Sequence, residues 1–148
     1  MSLESITDGV ARVLAGVSGM KAAYASAAGG QGDTVRSMPQ DVSDTPVALV
    51  VHGGFDVQAR GFERIRHTIV ADVYFNAASA GAANKTALPL ITRCITAMRA
   101  DYTLFGACVS AVIESGGPPR AEESNTKTYM VYPLIVDVLE AAPQDYLP

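Results

Sequence analysis

The chain has 148 residues, of which 49% are hydrophobic and 18% charged, with a formal net charge of −4 and no Trp. That length predicts one domain spanning residues 1–148, with enough chain to bury a sizeable core. The acidic balance excludes a grip on phosphate backbone, which needs clustered cations: Lys21, Lys85 and Lys127 lie far apart, and Asp56 and Glu63 offset Arg60, Arg64 and Arg66.

The first residues, Met1 to Asp8, show no basic region followed by an apolar stretch, so no secretory signal is expected and folding in cytoplasm is. No unbroken apolar run reaches the roughly 18 residues that cross a bilayer, so no membrane span is expected. Cys94 and Cys108 are too few for a metal cage and read as buried free thiols; neither a metal nor a cofactor is expected.

Leu3, Ile6, Val10, Val13, Leu14 and Val17 recur at three- and four-residue steps and predict an amphipathic helix, with Ser2 as N-cap and Glu4 in the first turn. Gly16 weakens this run, Gly19 ends it, and residues 20–26 predict a short strand. Residues 27–45 then turn to Gly, Ser, Asp and Gln and predict a long loop. Residues 47–52 form a dense β-branched run opened by Pro46, and Gly53 and Gly54 predict its end. Residues 60–75 alternate strictly, with Ile65, His67, Ile69, Ala71, Val73 and Phe75 facing the core and Arg64, Arg66, Thr68, Val70, Asp72 and Tyr74 facing away.

A small-residue loop is predicted over residues 76–85, then a second helix over 88–101 with Leu88, Ile91, Ile95 and Met98 on its buried stripe, Pro89 in its first turn, and Arg93 and Arg99 outward. Residues 102–106, Tyr-Thr-Leu-Phe-Gly, form a tight turn that delivers this helix into a strand over 107–115. A loop over 116–125 and a last strand over 128–141 complete the chain. Since a helix separates consecutive strands only once in this order, the fold class is α+β, a mainly antiparallel sheet with both helices on one face and the long loops together at one side. The opposite face, assigned Val70, Tyr74, Tyr132 and Leu134, is left bare, and that predicts a homo-oligomer.

The residues offer little chemistry. Two histidines, His52 and His67, cannot build a triad or metal set without distant carboxylates, and His67 reads as a satisfied structural histidine. Asp72 and Asp137 could form an acid/base pair but read as members of a polar strand face. The Gly29-Gly30-Gln31-Gly32 and Gly53-Gly54 runs lack the strand, glycine loop, lysine and helix order of a phosphate loop, and read as loop and hairpin turn. Glu122 and Glu123, in the predicted loop, read as a solvated charge pair.

The order of motifs resembles the tail terminator, or tail completion, proteins of long-tailed bacteriophages and related particles. The resemblance covers nearly the whole chain. It lies in the N-terminal helix, in Thr45-Pro-Val-Ala-Leu-Val-Val51 after the long loop, and in the extended Glu63-Arg-Ile-Arg-His-Thr-Ile-Val-Ala-Asp-Val-Tyr74. It continues through Ala97-Met-Arg-Ala-Asp101, the Thr103-Leu-Phe-Gly106 turn into residues 109–114, and the closing strand over 128–140.

This resemblance implies a non-enzymatic virion protein of the tail-neck region, assembled in the host cytoplasm. It would form a hexameric ring that caps the tail tube protein, ends tube elongation and offers a surface to the head-closure or connector protein. DNA would pass through the lumen without specific binding. Arg64, Arg66, Tyr74, Tyr129 and Tyr132 are the expected ring contacts, since Tyr and Arg dominate interface energetics. Asp33, Arg36, Asp41, Arg120, Glu122 and Glu123 are the expected tube or connector contacts. The alternatives are another neck or minor tail component, such as a head-closure or adaptor protein, or a small ligand-binding α+β module.

Overall fold

The computed structural model describes residues 3–25, 45–58, 64–77, 79–124 and 127–141. Among these residues, two helices and a six-stranded, mostly antiparallel sheet make the α+β fold: α1 Leu3–Ala15, β1 Ala22–Ala25, β2 Val47–Gln58, β3 Arg64–Phe75, α2 Ala80–Ala100, β4 Ser110–Gly116, β5 Arg120–Ser124 and β6 Lys127–Ala141. The expected long loop, residues 27–45, falls outside the described residues except for Thr45, as does Ser2, the expected N-cap.

The sheet order is β1-β2-β3-β6-β4, with β5 pairing β6 off this path. β1 runs parallel to β2; every other pair is antiparallel. β6 is long enough to take two partners along one edge: β5 pairs its first residues, 127–131, and β4 pairs residues 134–139. Pro133 sits where the partner changes. It has no N–H to give a ladder, and its carbonyl accepts from Gly117 N–H at 3.0 Å as the chain leaves β4.

One parity of each strand builds the core. Ala48 and Val50 of β2, Ile69, Ala71, Val73 and Phe75 of β3, and Met130, Tyr132, Leu134, Val136 and Val138 of β6 share one buried cluster with Ile6, Val10 and Leu14 of α1 and Leu90, Cys94 and Met98 of α2. The pairing fixes this parity, because Val73 lies opposite Tyr132 and Ile69 opposite Val136. Tyr132 and Leu134 therefore belong to the core, not to the bare face on which the sequence reading placed them.

Three boundaries and the buried stripe of α2 differ from expectation. α2 begins at Ala80, where Ser79 caps it by accepting the Ala82 N–H at 3.2 Å, so a loop was expected over what is the first turn and a half of helix. Pro89 therefore lies inside the helix, and the buried stripe is Ala83, Ala87, Leu90, Cys94 and Met98; Leu88 is 56% exposed. Small alanines let the helix lie close to its neighbours, and they carry too little hydrophobicity to register against Leu88, Ile91 and Ile95. Gly53 and Gly54 do not end β2 in a hairpin: the strand continues to Gln58 through a register shift between His52 and Gly54, with Gly54 at φ +132°. Finally, the loop expected over 116–125 contains β5.

Leu104 ties the turn after α2 to α1. The turn after α2 puts Leu104, Phe105 and Gly106 at φ 51°, 60° and 88°, a run of left-handed residues that costs backbone energy at the two that are not glycine. It seats Leu104, 1% exposed, against α1 at Gly9, where a Cβ would come within 2.9 Å of Leu104 Cβ. Phe105 points outward beneath the Arg12 guanidinium, 4.3 Å from the ring centroid.

Candidate functional site

The face of the sheet away from the helices carries the other parity. At its centre Val51, Val70 and Ile135 form an apolar row across β2, β3 and β6, since Val51 pairs Val70 and Val70 pairs Ile135. Val51 is 39% exposed and its two neighbours are half-buried. Charged pairs flank the row. On one side Arg66 holds Asp137 through two parallel bonds of 2.6 Å from Nε and Nη2, with Glu114 at 4.0 Å. This fork raises the Arg66 pKa, first through the hydrogen bond to Asp137 and then through its charge. On the other side Arg120 reaches Asp72 at 3.1 Å and Glu122 at 2.8 Å, and Tyr74 donates to Glu122 at 3.3 Å. Burial, and then Glu122 and Asp72, push the Tyr74 hydroxyl pKa well above its ordinary value, so it stays a donor.

Beyond Asp72 this face is not bare. Val47, Tyr74, Tyr129 and Val131 form a second buried cluster there, with the Tyr74 and Tyr129 rings edge-on at 6.4 Å. Tyr129 is 0% exposed and Tyr74 and Tyr132 are 4% exposed. The three tyrosines expected at a subunit contact thus pack inside their own chain; the Tyr132 hydroxyl is held by Asn84 of α2. Parity accounts for Tyr132 alone; Tyr74 and Tyr129 do lie on the face away from the helices and are buried there with Val47 and Val131.

Of the remaining expected contact residues, Arg66 is exposed on the open face, and Arg120 and Glu122 share its second ion-pair group. Glu123 is exposed on β5, paired with Thr128, so Glu122 and Glu123 are strand residues and not a loop pair. Arg64 opens β3, with its side chain outside what the structure describes, and Asp33, Arg36 and Asp41 lie outside the described residues altogether. Asp72 and Asp137 do not meet as a pair; each serves a different arginine.

A second polar group lies on the helix side. His52 of β2, His67 of β3 and Glu140 of β6 form a line: His52 Nε2 to His67 Nδ1 at 2.9 Å, and His67 Nε2 to Glu140 Oε1 at 3.1 Å. His67 is 1% and Glu140 4% exposed, whereas His52 is half-buried. The structural reading of His67 agrees with these two satisfied nitrogens. Glu140 went unnoticed in the sequence, although an acid on the same parity as Val138, Val136 and Leu134 was the available signal.

A groove of about 410 Å³ runs between α2 and β4, lined by Leu88, Ile91, Ile95 and Ile113 with Tyr132 and Pro133 among its other walls. The thiols of Cys94 and Cys108 are both free and are pushed up to about 11, by burial foremost, which keeps them protonated and poorly nucleophilic at neutral pH. Among the described residues no group of three or more His, Cys, Asp or Glu side chains could hold a metal ion, and no helix is long and apolar enough to cross a membrane. No protein-family model matches this chain, and no curated protein matches it at a significant level.

Proposed function

We propose that the chain is a structural virion protein, a tail terminator whose copies close into a ring on the end of a tail tube, stop its growth and present a surface to the head connector. The observation that carries this reading is the open face of β2, β3 and β6, an apolar row of Val51, Val70 and Ile135 rimmed by ion pairs already satisfied within the chain. That layout suits the apolar centre and polar rim of a protein contact. A ring needs two different patches that fit head to tail, and the groove bordered by Leu88, Ile91, Ile95 and Ile113 is available as the second. In this reading Arg66 and Val70 replace the buried tyrosines as ring contacts, Arg120 and Glu123 face the tube or connector, and the acidic chain lets DNA pass without holding it.

The test is the mass in solution by light scattering, alone and after mixing with tail tube protein from the same genome. A hexamer, or a monomer that assembles on tube ends and halts their growth, is the expected result. The groove favours one other reading, a small ligand-binding module, and a monomer indifferent to tubes would select it.

A further inference from the structure

We infer that His52, His67 and Glu140 form a pH-sensitive lock on the outer half of β2, independent of any ring: the lock is closed while His52 is neutral and opens when His52 takes up a proton.

The direction of every bond in the line follows from one donor that cannot change. The backbone N–H of Gly54 can only donate, and it meets His52 Nδ1 at 3.2 Å, so that nitrogen accepts and the proton of neutral His52 sits on Nε2. His52 Nε2–H then donates to His67 Nδ1, which leaves the His67 proton on Nε2, where it donates to the Glu140 carboxylate. One tautomer of each ring satisfies all three contacts. Protonated His52 carries a hydrogen on Nδ1 as well, and that hydrogen faces the Gly54 N–H. The bond holding the register shift is lost, and β2 beyond it, residues 54–58, keeps its pairing with residues 64–68 of β3 without that anchor.

Among the described residues, His52 Nδ1 is the side-chain acceptor that the Gly54 N–H meets. Phe55 lies near both imidazoles, with centroid distances of 6.4 Å to His52 and 6.3 Å to His67, and is itself 58% exposed. The titratable groups facing the line among the described residues are His67 from β3, Glu140 from β6 and, from the connection between α2 and β4, Cys108, whose thiol is neutral at these pH values. Asp56 and Arg66 pair across β2 and β3 on the opposite face of the sheet. Burial, and after it the neighbouring His67, lowers the pKa of His52 from its ordinary value. The neutral form is therefore favoured in the folded chain, and the lock opens on the acid side of neutrality.

The experiment is amide hydrogen exchange on the full chain, corrected for the intrinsic effect of pH, compared at about pH 7.5 and about pH 5.5. Exchange at Gly54 and the residues after it is expected to rise by about tenfold at the lower pH, while Ile69 to Val73 of β3 stay protected. His52→Asn, whose side-chain oxygen can accept the Gly54 N–H without titrating, should retain the protection and lose its pH dependence. An unchanged pH response in His52→Asn would overturn the lock. So would imidazole nitrogen shifts of the unaltered chain showing His52 protonated on Nδ1 at neutral pH, a measurement that does not depend on the variant folding.

Discussion

On β3, Ile69 is fully buried among residues of both helices, whereas Val70, the next residue, stands half-buried on the open face between Val51 and Ile135. The same contrast runs along the strand: Ala71 and Val73 are fully buried, while Arg66 and Thr68 are exposed. Two chemically similar neighbours thus do different work. The helix side gains its stability from close packing, which punishes any change of volume. The open side carries paired charges in partial contact with water, where each pair contributes little, and its apolar row matters chiefly if another surface covers it.

The sharpest way to break this comparison is to shorten both neighbours. Ile69→Ala should lose about 2–4 kcal/mol in urea unfolding at constant slope, whereas Val70→Ala should lose less than about 1 kcal/mol. Equal losses would mean that the two faces are equally packed in solution. Next in size is Gly9→Ala, whose added carbon would press on Leu104 Cβ at 2.9 Å; Leu104 is itself held in a left-handed conformation and has no easy retreat. A loss of about 1–3 kcal/mol is expected, read as a lower thermal midpoint.

A third effect separates buried polar groups from exposed ones. The lowered pKa of His52 means that the unfolded chain binds the proton more readily than the folded one. Its contribution is therefore present above the ordinary histidine value of about 6.5 and is lost as pH falls through the folded pKa. The urea midpoint should drop on acidification through that window, and less so in His52→Asn. On the open face, Arg120→Ala should change stability by no more than about 1 kcal/mol, and added salt should shrink the difference. The last comparison concerns assembly: Val70→Asp should lower the unfolding midpoint somewhat more than Val70→Ala while leaving the chain folded, yet under the assembly proposed above it should keep the protein from forming rings in light scattering.

The long alternating strands were legible because alternation needs only residue type: Ile69, Ala71 and Val73 against Thr68, Val70 and Asp72 specify two faces before any partner is known. β6 shows the limit of that logic. Tyr132 and Tyr129 look equivalent as aromatic residues, but only the pairing of Val73 with Tyr132 and of Tyr74 with Val131 decides that Tyr132 joins the helices and Tyr129 the opposite cluster. α2 failed in a different way. Its buried stripe is largely alanine, and hydrophobic periodicity weighs Leu88 and Ile91 more heavily than Ala83 and Ala87, although close approach favours the small residues. β5 was missed because five residues of mixed polarity form a strand only where β6 offers an unpaired edge.

The polar sites divide along the same line. That Asp72 and Asp137 belong to a polar face could be read from their spacing, but which arginine each would meet could not, since Arg120 lies 48 residues from Asp72 and Arg66 lies 71 from Asp137. Composition and period by themselves determined an acidic α+β chain with a buried and an open side to β3. Only the tertiary structure decided that His52, His67 and Glu140 stand in line, because hydrogen bonds a few ångströms long depend on the registers of three strands at once, and register belongs to the sheet, not to any one of its strands.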